Sequence, residues 1–152
     1  MSGWQAEMVE ALAAFRTVAE LAGELVAPDE IAVEYLPAPH RPPVRLPGGT
    51  MAVYAFHDGA GWLKIGRVGP ASAARYTSQH YNPDSSRSNL ARSLRADPAL
   101  SSVPEFSFAA PGDWIKAHTH RVNILLLSSR SGDLLVLLEA FLHARLRPRY
   151  EG

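Results

Sequence analysis

One carboxylate in this chain sits where a carboxylate is costly. In the stretch 132–146 (GDLLVLLEAFLHARL), apolar side chains recur at helical spacing. At about 100° per residue, Glu139 falls between Val136 and His143 on one side and Leu135, Leu142 and Leu146 on the other. A charge at the edge of an apolar face needs a partner. Two uses satisfy that need: a structural ion pair to Arg75, Arg121 or Arg145, or a metal ion. A second grouping involves Tyr54 and Lys64, which lie in the short apolar runs MAVYAF and WLKIG on either side of His57-Asp58-Gly59-Ala60-Gly61. With Asp58-Gly59-Ala60 as the loop proper, Tyr54 is expected directly opposite Lys64, on one sheet face. Arg75 and His80 follow five residues apart. His80 could contact phosphate, shuttle a proton or sit at the surface. His118 and His120 have the H-x-H spacing of a zinc pair, yet no third ligand accompanies them and the chain has no cysteine.

The elements that must position these groups are legible in outline. Residues 4–26 carry a helical stripe of Trp4, Met8, Leu12, Phe15, Ala19, Ala22 and Val26, with Glu7, Glu10, Arg16, Glu20 and Glu24 away from its centre. Such a stripe is buried against the rest of the chain or against a partner. Residues 36–49 hold five prolines and two glycines, which deny both helix and central strand. The expected organisation is therefore an N-terminal helical extension over 1–35, a connector over 36–49 and a main unit over 50–152. Within that unit the pattern predicts a two-strand hairpin, helices near 71–79 and 86–96, a buried strand at 122–128 and a strong helix at 132–146. Ser131 is the candidate N-cap of that last helix, with Asp133 in its first turn. The fold class that follows is α/β, a small mostly antiparallel three-stranded sheet flanked by helices, with an extra N-terminal amphipathic helix.

At 152 residues the chain is long enough to bury one real core, and its 47% hydrophobic and 20% charged residues are ordinary for a globular domain. The longest apolar run, 51–56, is far too short to span a bilayer. The N-terminus shows no basic region followed by an apolar core, so the expected location is cytoplasmic and no membrane is expected as a partner. The net charge is zero but unevenly spread. Residues 1–48 hold seven acidic and three basic side chains, and residues 49–152 hold eight acidic and twelve basic. A mildly basic C-terminal part suits a phosphate backbone or an ordinary solvated surface. The same two readings apply to Arg87, Arg92 and Arg95 around the 86–96 segment, and to Arg145, Arg147 and Arg149 near the end.

Taken in order, Ala52-Val53-Tyr54, Lys64-Ile65-Gly66, Arg75, His80 and Glu139 resemble the motif series of the GIY-YIG nucleases. Tyr54 matches the tyrosine that closes the first motif, with Ala52-Val53 in place of Gly-Ile. Lys64-Ile65-Gly66 matches the second, with lysine in place of tyrosine. Arg75 stands where that family has its essential arginine, and Glu139 opens LEAFLHARLRPRYEG, similar to the family's closing segment. The resemblance covers residues 51–152. Two departures stand out: Ala52 for glycine, and Glu151 where the family has asparagine, which bears on a contact near metal or phosphate.

The resemblance implies a metal-dependent endonuclease that hydrolyses DNA phosphodiester bonds, RNA not being excluded. A magnesium or manganese ion would be held by Glu139, with waters and phosphate oxygens completing its shell. Arg75 would fork onto phosphate oxygens. Tyr54 would act as general base, its pKa of roughly 10 lowered by the Lys64 ammonium and the metal. Tyr54, Lys64, Arg75, His80 and Glu139 form the expected catalytic set, and Arg67, Arg87, Arg92 and Arg95 the expected nucleic-acid contacts. A compact stand-alone nuclease is most similar to restriction or defence members, and the N-terminal helix could build a homodimer that cuts both strands. The alternative is a non-catalytic nucleic-acid- or protein-binding module that keeps the fold.

Overall fold

A computed structural model of the chain describes residues 1–150; the expectation attached to Glu151 lies outside the described residues. Four strands form one sheet: β1 (Ile31–Leu36), β2 (Thr50–His57), β3 (Trp62–Val68) and β4 (His120–Leu127). Their spatial order is β1-β4-β2-β3, and every neighbouring pair is antiparallel. Two helices, α1 (Gly3–Leu21) and α5 (Gly132–Leu146), share a core with one face. On the other face lie α2 (Ala73–Thr77), the 3₁₀ turn Gln79–Tyr81, α3 (Leu90–Arg95) and α4 (Pro111–His118). No helix among the described residues is long and apolar enough to cross a membrane.

The α/β architecture and the antiparallel sheet hold, but the sheet has four strands and not three. The fourth is β1, whose Ile31, Val33 and Tyr35 alternate toward the α1 side and whose ladder runs along β4 from Ile31↔Leu126 to Leu36↔Arg121. Its partner is about ninety residues away in sequence, so no local turn signal announces it. The N-terminal stripe is buried within the chain, which was one of its two expected uses: Trp4, Met8, Ala11, Leu12, Phe15 and Ala19 pack with α5 and the sheet. Ser2 and Gln5 form the capping box that starts α1. Ser131 caps α5 by accepting from the Leu134 N–H at 3.2 Å.

The hairpin register differs from expectation. Residues 58–61 make the loop, closed by Asp58 N–H to the Gly61 carbonyl, and the register shifts again between Phe56 and His57. Tyr54 therefore stands opposite Gly66, and Lys64 opposite Phe56. One extra loop residue and one bulge residue move the pairing by two, and a shift of two returns each side chain to its original face. Tyr54 and Lys64 still share a face, as diagonal neighbours. The two short helices are also shorter than the sequence pattern suggests. The segment 86–89 is not helical, because Asn89 is the N-cap of α3 and accepts from the Arg92 N–H at 2.8 Å. Arg87 thus precedes the helix that carries Arg92 and Arg95. The eight-residue α4 was not foreseen; Pro111 at its first turn starts it.

Candidate active site

The five residues expected to carry chemistry come from five elements and meet at the outer edge of β3. Tyr54, at the middle of β2, is fully buried on the α2–α4 face, and its ring passes beneath Gly66. Only glycine permits this: a Cβ at position 66 would lie 2.5 Å from the Tyr54 hydroxyl oxygen. The close approach carries the phenol to the strand edge, where Arg75 from α2 and Glu139 from α5 both act on it.

His80 fixes the hydrogen bonding of that phenol. Its Nδ1 accepts the Leu90 backbone N–H at 3.1 Å, at the first turn of α3. In a neutral imidazole this leaves the proton on Nε2, which then donates to the Tyr54 oxygen at 2.5 Å. Burial, with help from Arg75, Arg121 and Lys64, pushes the His80 pKa down to about 2, so the ring stays neutral at ordinary pH. His80 is fully buried and is not a surface histidine. It serves Tyr54 as a donor. The Tyr54 proton itself has no acceptor among the described residues, so ionising the phenol breaks no hydrogen bond to any of them.

Electrostatics at Tyr54 are divided. Burial pushes its pKa up to about 12, Arg75 and Arg121 pull it down, and Glu139 raises it further. The cations that favour phenolate are thus Arg75 and Arg121, and not Lys64 as the sequence suggested. Lys64 is almost fully buried and donates to Ser88 Oγ at 3.3 Å. Burial holds its pKa below the usual range, Arg75 adds to this, and Glu139 opposes it.

Glu139 has an arginine partner, though none of the three anticipated. Arg67 Nη1 binds its Oε1 at 2.5 Å, with side chains 46% and 18% exposed. No described residue bonds Oε2. One turn further along α5, His143 Nε2 meets the Ile65 carbonyl at 3.0 Å, which ties the helix to the same strand. Arg67, expected as a nucleic-acid contact, is in this structure the counterion of the expected metal ligand.

No family model, curated protein or solved structure matches the chain.

Arg87 and Arg92 are exposed, and Arg95 pairs with Asp84 at 2.9 Å. The H-x-H histidines part company: His118 is exposed beside Trp114, while His120 stacks on Trp4 and accepts the Ala38 N–H. No group of three or more His, Cys, Asp or Glu residues is gathered as a metal cluster among the described residues.

Sequence reasoning missed the part played by Arg121. It is fully buried, with its guanidinium carbon 4.9–5.9 Å from the ring centres of Tyr54, Phe56, Tyr76 and Tyr81. Asn123 Oδ1, the Tyr76 carbonyl and the Tyr81 hydroxyl accept its three hydrogen bonds at 2.7, 2.6 and 3.1 Å. No carboxylate among the described residues touches it. Its charge therefore acts on the Tyr54 ring in a dry setting, where screening is weak. The available signal was the spacing of Arg121 and Asn123: two polar residues, two apart, in an otherwise apolar strand.

Proposed function

We propose that this chain is a metal-dependent endonuclease that hydrolyses phosphodiester bonds in DNA, on a GIY-YIG-like scaffold. The observation that supports it best is the convergence of Tyr54, Lys64, Arg75, His80 and Glu139 on one strand edge, around a buried phenol that accepts the His80 N–H and has no acceptor for its own proton among the described residues.

The chemistry of the donor set suits a hard divalent ion. Glu139 offers a carboxylate oxygen with no partner among the described residues, and a lone carboxylate leaves the rest of an oxygen shell to water and phosphate, as magnesium prefers. When bound there, such an ion supplies charge against the non-bridging oxygens and a more acidic water. The other roles belong to the chain. Arg75 holds phosphate oxygens with its fork of donors. Once its own proton has passed to solvent, Tyr54 Oη takes a proton from the attacking water as the water oxygen bonds to phosphorus and the P–O bond to the leaving group breaks, the leaving oxygen taking a proton from solvent. His80 and Arg121 stabilise the phenolate before it is reprotonated. Because Tyr54 has no exposed surface, the groups that cover its hydroxyl must move for substrate to reach it. Arg87 and Arg92, both exposed, track the backbone on either side. A homodimer would need a surface other than the α1 stripe, which is spent inside the chain.

Arg75→Ala tests the phosphate clamp. It is expected to lower plasmid nicking by about a hundredfold to a thousandfold, the cost of losing a donor aimed at developing charge. Its circular dichroism and melting should stay close to wild type. Full activity in the variant would remove Arg75 from the site. A second reading, a non-catalytic nucleic-acid-binding module, draws on two observations: the Tyr54 pKa near 12 and the Glu139 carboxylate already paired with Arg67. It expects filter retention of DNA with no nicking under any divalent metal.

A further inference from the structure

The Arg67–Glu139 ion pair joins the residue that follows Gly66 to the one carboxylate of the cluster among the described residues. Arg67 reaches Glu139 through one nitrogen and one oxygen, not as a two-point fork, and its side chain is about half exposed. Among the described residues, the rest of the neighbourhood is cationic. Lys64 comes from the same strand, Arg75 from α2 and Arg121 from β4, all close enough to bias the titration of Tyr54, Lys64 or His80. Glu139 is the acidic side chain acting on Tyr54 and Lys64 in that set. A divalent ion approaching Glu139 in the free protein must therefore compete with a guanidinium for the carboxylate and enter a field of like charge.

We propose that Arg67 is a latch on the metal ligand, exchanging its carboxylate partner for a substrate phosphate and so making metal binding and phosphodiester binding mutually dependent. The proposal rests on the reading of Glu139 as the metal ligand. The exchange is physically inexpensive. A single-contact ion pair whose arginine is about half exposed contributes little to stability, and an arginine stem has the freedom to swing the guanidinium away from α5. A phosphodiester supplies the missing negative charge, takes the fork of Arg67 and frees Oε1 of Glu139. The phosphate and the ion then favour each other's binding, and linkage makes the effect equal in both directions. In the free protein the same latch keeps the ion affinity low, so that the ion enters together with the substrate.

The test measures Mn²⁺ alone, without DNA, by the electron paramagnetic resonance signal of the free ion. Wild type, Arg67→Met, Glu139→Gln and the double variant Arg67→Met/Glu139→Gln are compared. Arg67→Met is expected to bind Mn²⁺ about fivefold or more tightly than wild type, with the gain abolished in the double variant. Adding a DNA duplex should then raise the Mn²⁺ affinity of wild type by more than that of Arg67→Met. Equal or weaker binding by Arg67→Met, with Glu139-dependent binding still present, would overturn the latch and leave Glu139 as a ligand. If neither wild type nor Arg67→Met shows any Glu139-dependent Mn²⁺ binding, the latch and the metal reading fall together. Both substitutions are at or near the surface, and a one-dimensional proton spectrum of each variant verifies the fold.

Discussion

Tyr54→Phe is expected to slow cleavage about a hundredfold or more while the chain stays folded, the scale of a lost general base. The substitution removes one oxygen from the centre of the cluster and leaves the ring that packs against Phe56 and Arg121. The buried His80 Nε2–H then loses its acceptor, which costs about 1–3 kcal/mol. For a chain of this size that is a fall of several degrees in melting temperature, so rates should be compared well below it. The pH dependence adds a second readout. With a phenol pKa of about 12 in the free protein, the phenolate fraction grows tenfold per pH unit through the neutral and alkaline range. Wild-type rates should therefore climb with pH from about 6.5 to 9.5, and Tyr54→Phe should lack that limb. The stability linkage has its own sign. The folded-state pKa lies above the unfolded value near 10, so the contribution from protonated Tyr54 is full below about pH 10 and is lost as pH rises through 12. Near-normal activity in Tyr54→Phe would make Tyr54 a packing residue.

Gly66→Ala is expected to have the second large effect, although it adds a single methyl group. That methyl would lie 2.5 Å from the Tyr54 hydroxyl oxygen and 2.7 Å from the ring carbon bearing it, distances that neither backbone nor ring can accept without moving. Forcing an extra carbon into a packed site costs about 1–3 kcal/mol. The relief available is a displaced Tyr54 ring, which takes the phenol away from His80. Melting should fall by several degrees and nicking should drop about as far as in Tyr54→Phe. Adding Tyr54→Leu to Gly66→Ala removes the ring that clashes. The double variant should regain most of the lost melting temperature and none of the activity. Unchanged melting and unchanged nicking in Gly66→Ala would show that the close approach has no functional weight.

The parts of this molecule that were legible in the sequence are those with local causes. Ser131, Asp133 and the spacing of Leu134, Leu135, Leu138 and Leu142 define α5, and that spacing places Glu139 at the border of the buried face. The stripe of α1 is legible for the same reason. What the sequence hid depends on distant partners. Ile31, Val33 and Tyr35 alternate as a strand should, but a six-residue strand is defined by its pairing, and β4 lies far along the chain. The register of β2 against β3 turned on one loop residue and one bulge, which local preferences among His57, Asp58, Gly59, Ala60 and Gly61 do not discriminate. The face of Tyr54 and Lys64 survived because the error was even. Partners of charged side chains were the least legible. Arg67 and Glu139 meet only because α5 crosses the edge of β3, and Arg121 faces inward only because four rings and three acceptors receive it there.

The central claim is that Glu139 holds a divalent ion at a phosphodiester-cutting site. Cleavage of supercoiled plasmid with magnesium, with manganese and with EDTA, in wild type and Glu139→Ala purified side by side, tests it most directly. The predicted result is nicking by wild type with either metal, none in EDTA, and none above background in Glu139→Ala under all three conditions. Nicking that persists undiminished in Glu139→Ala, or that is indifferent to EDTA, would contradict the claim.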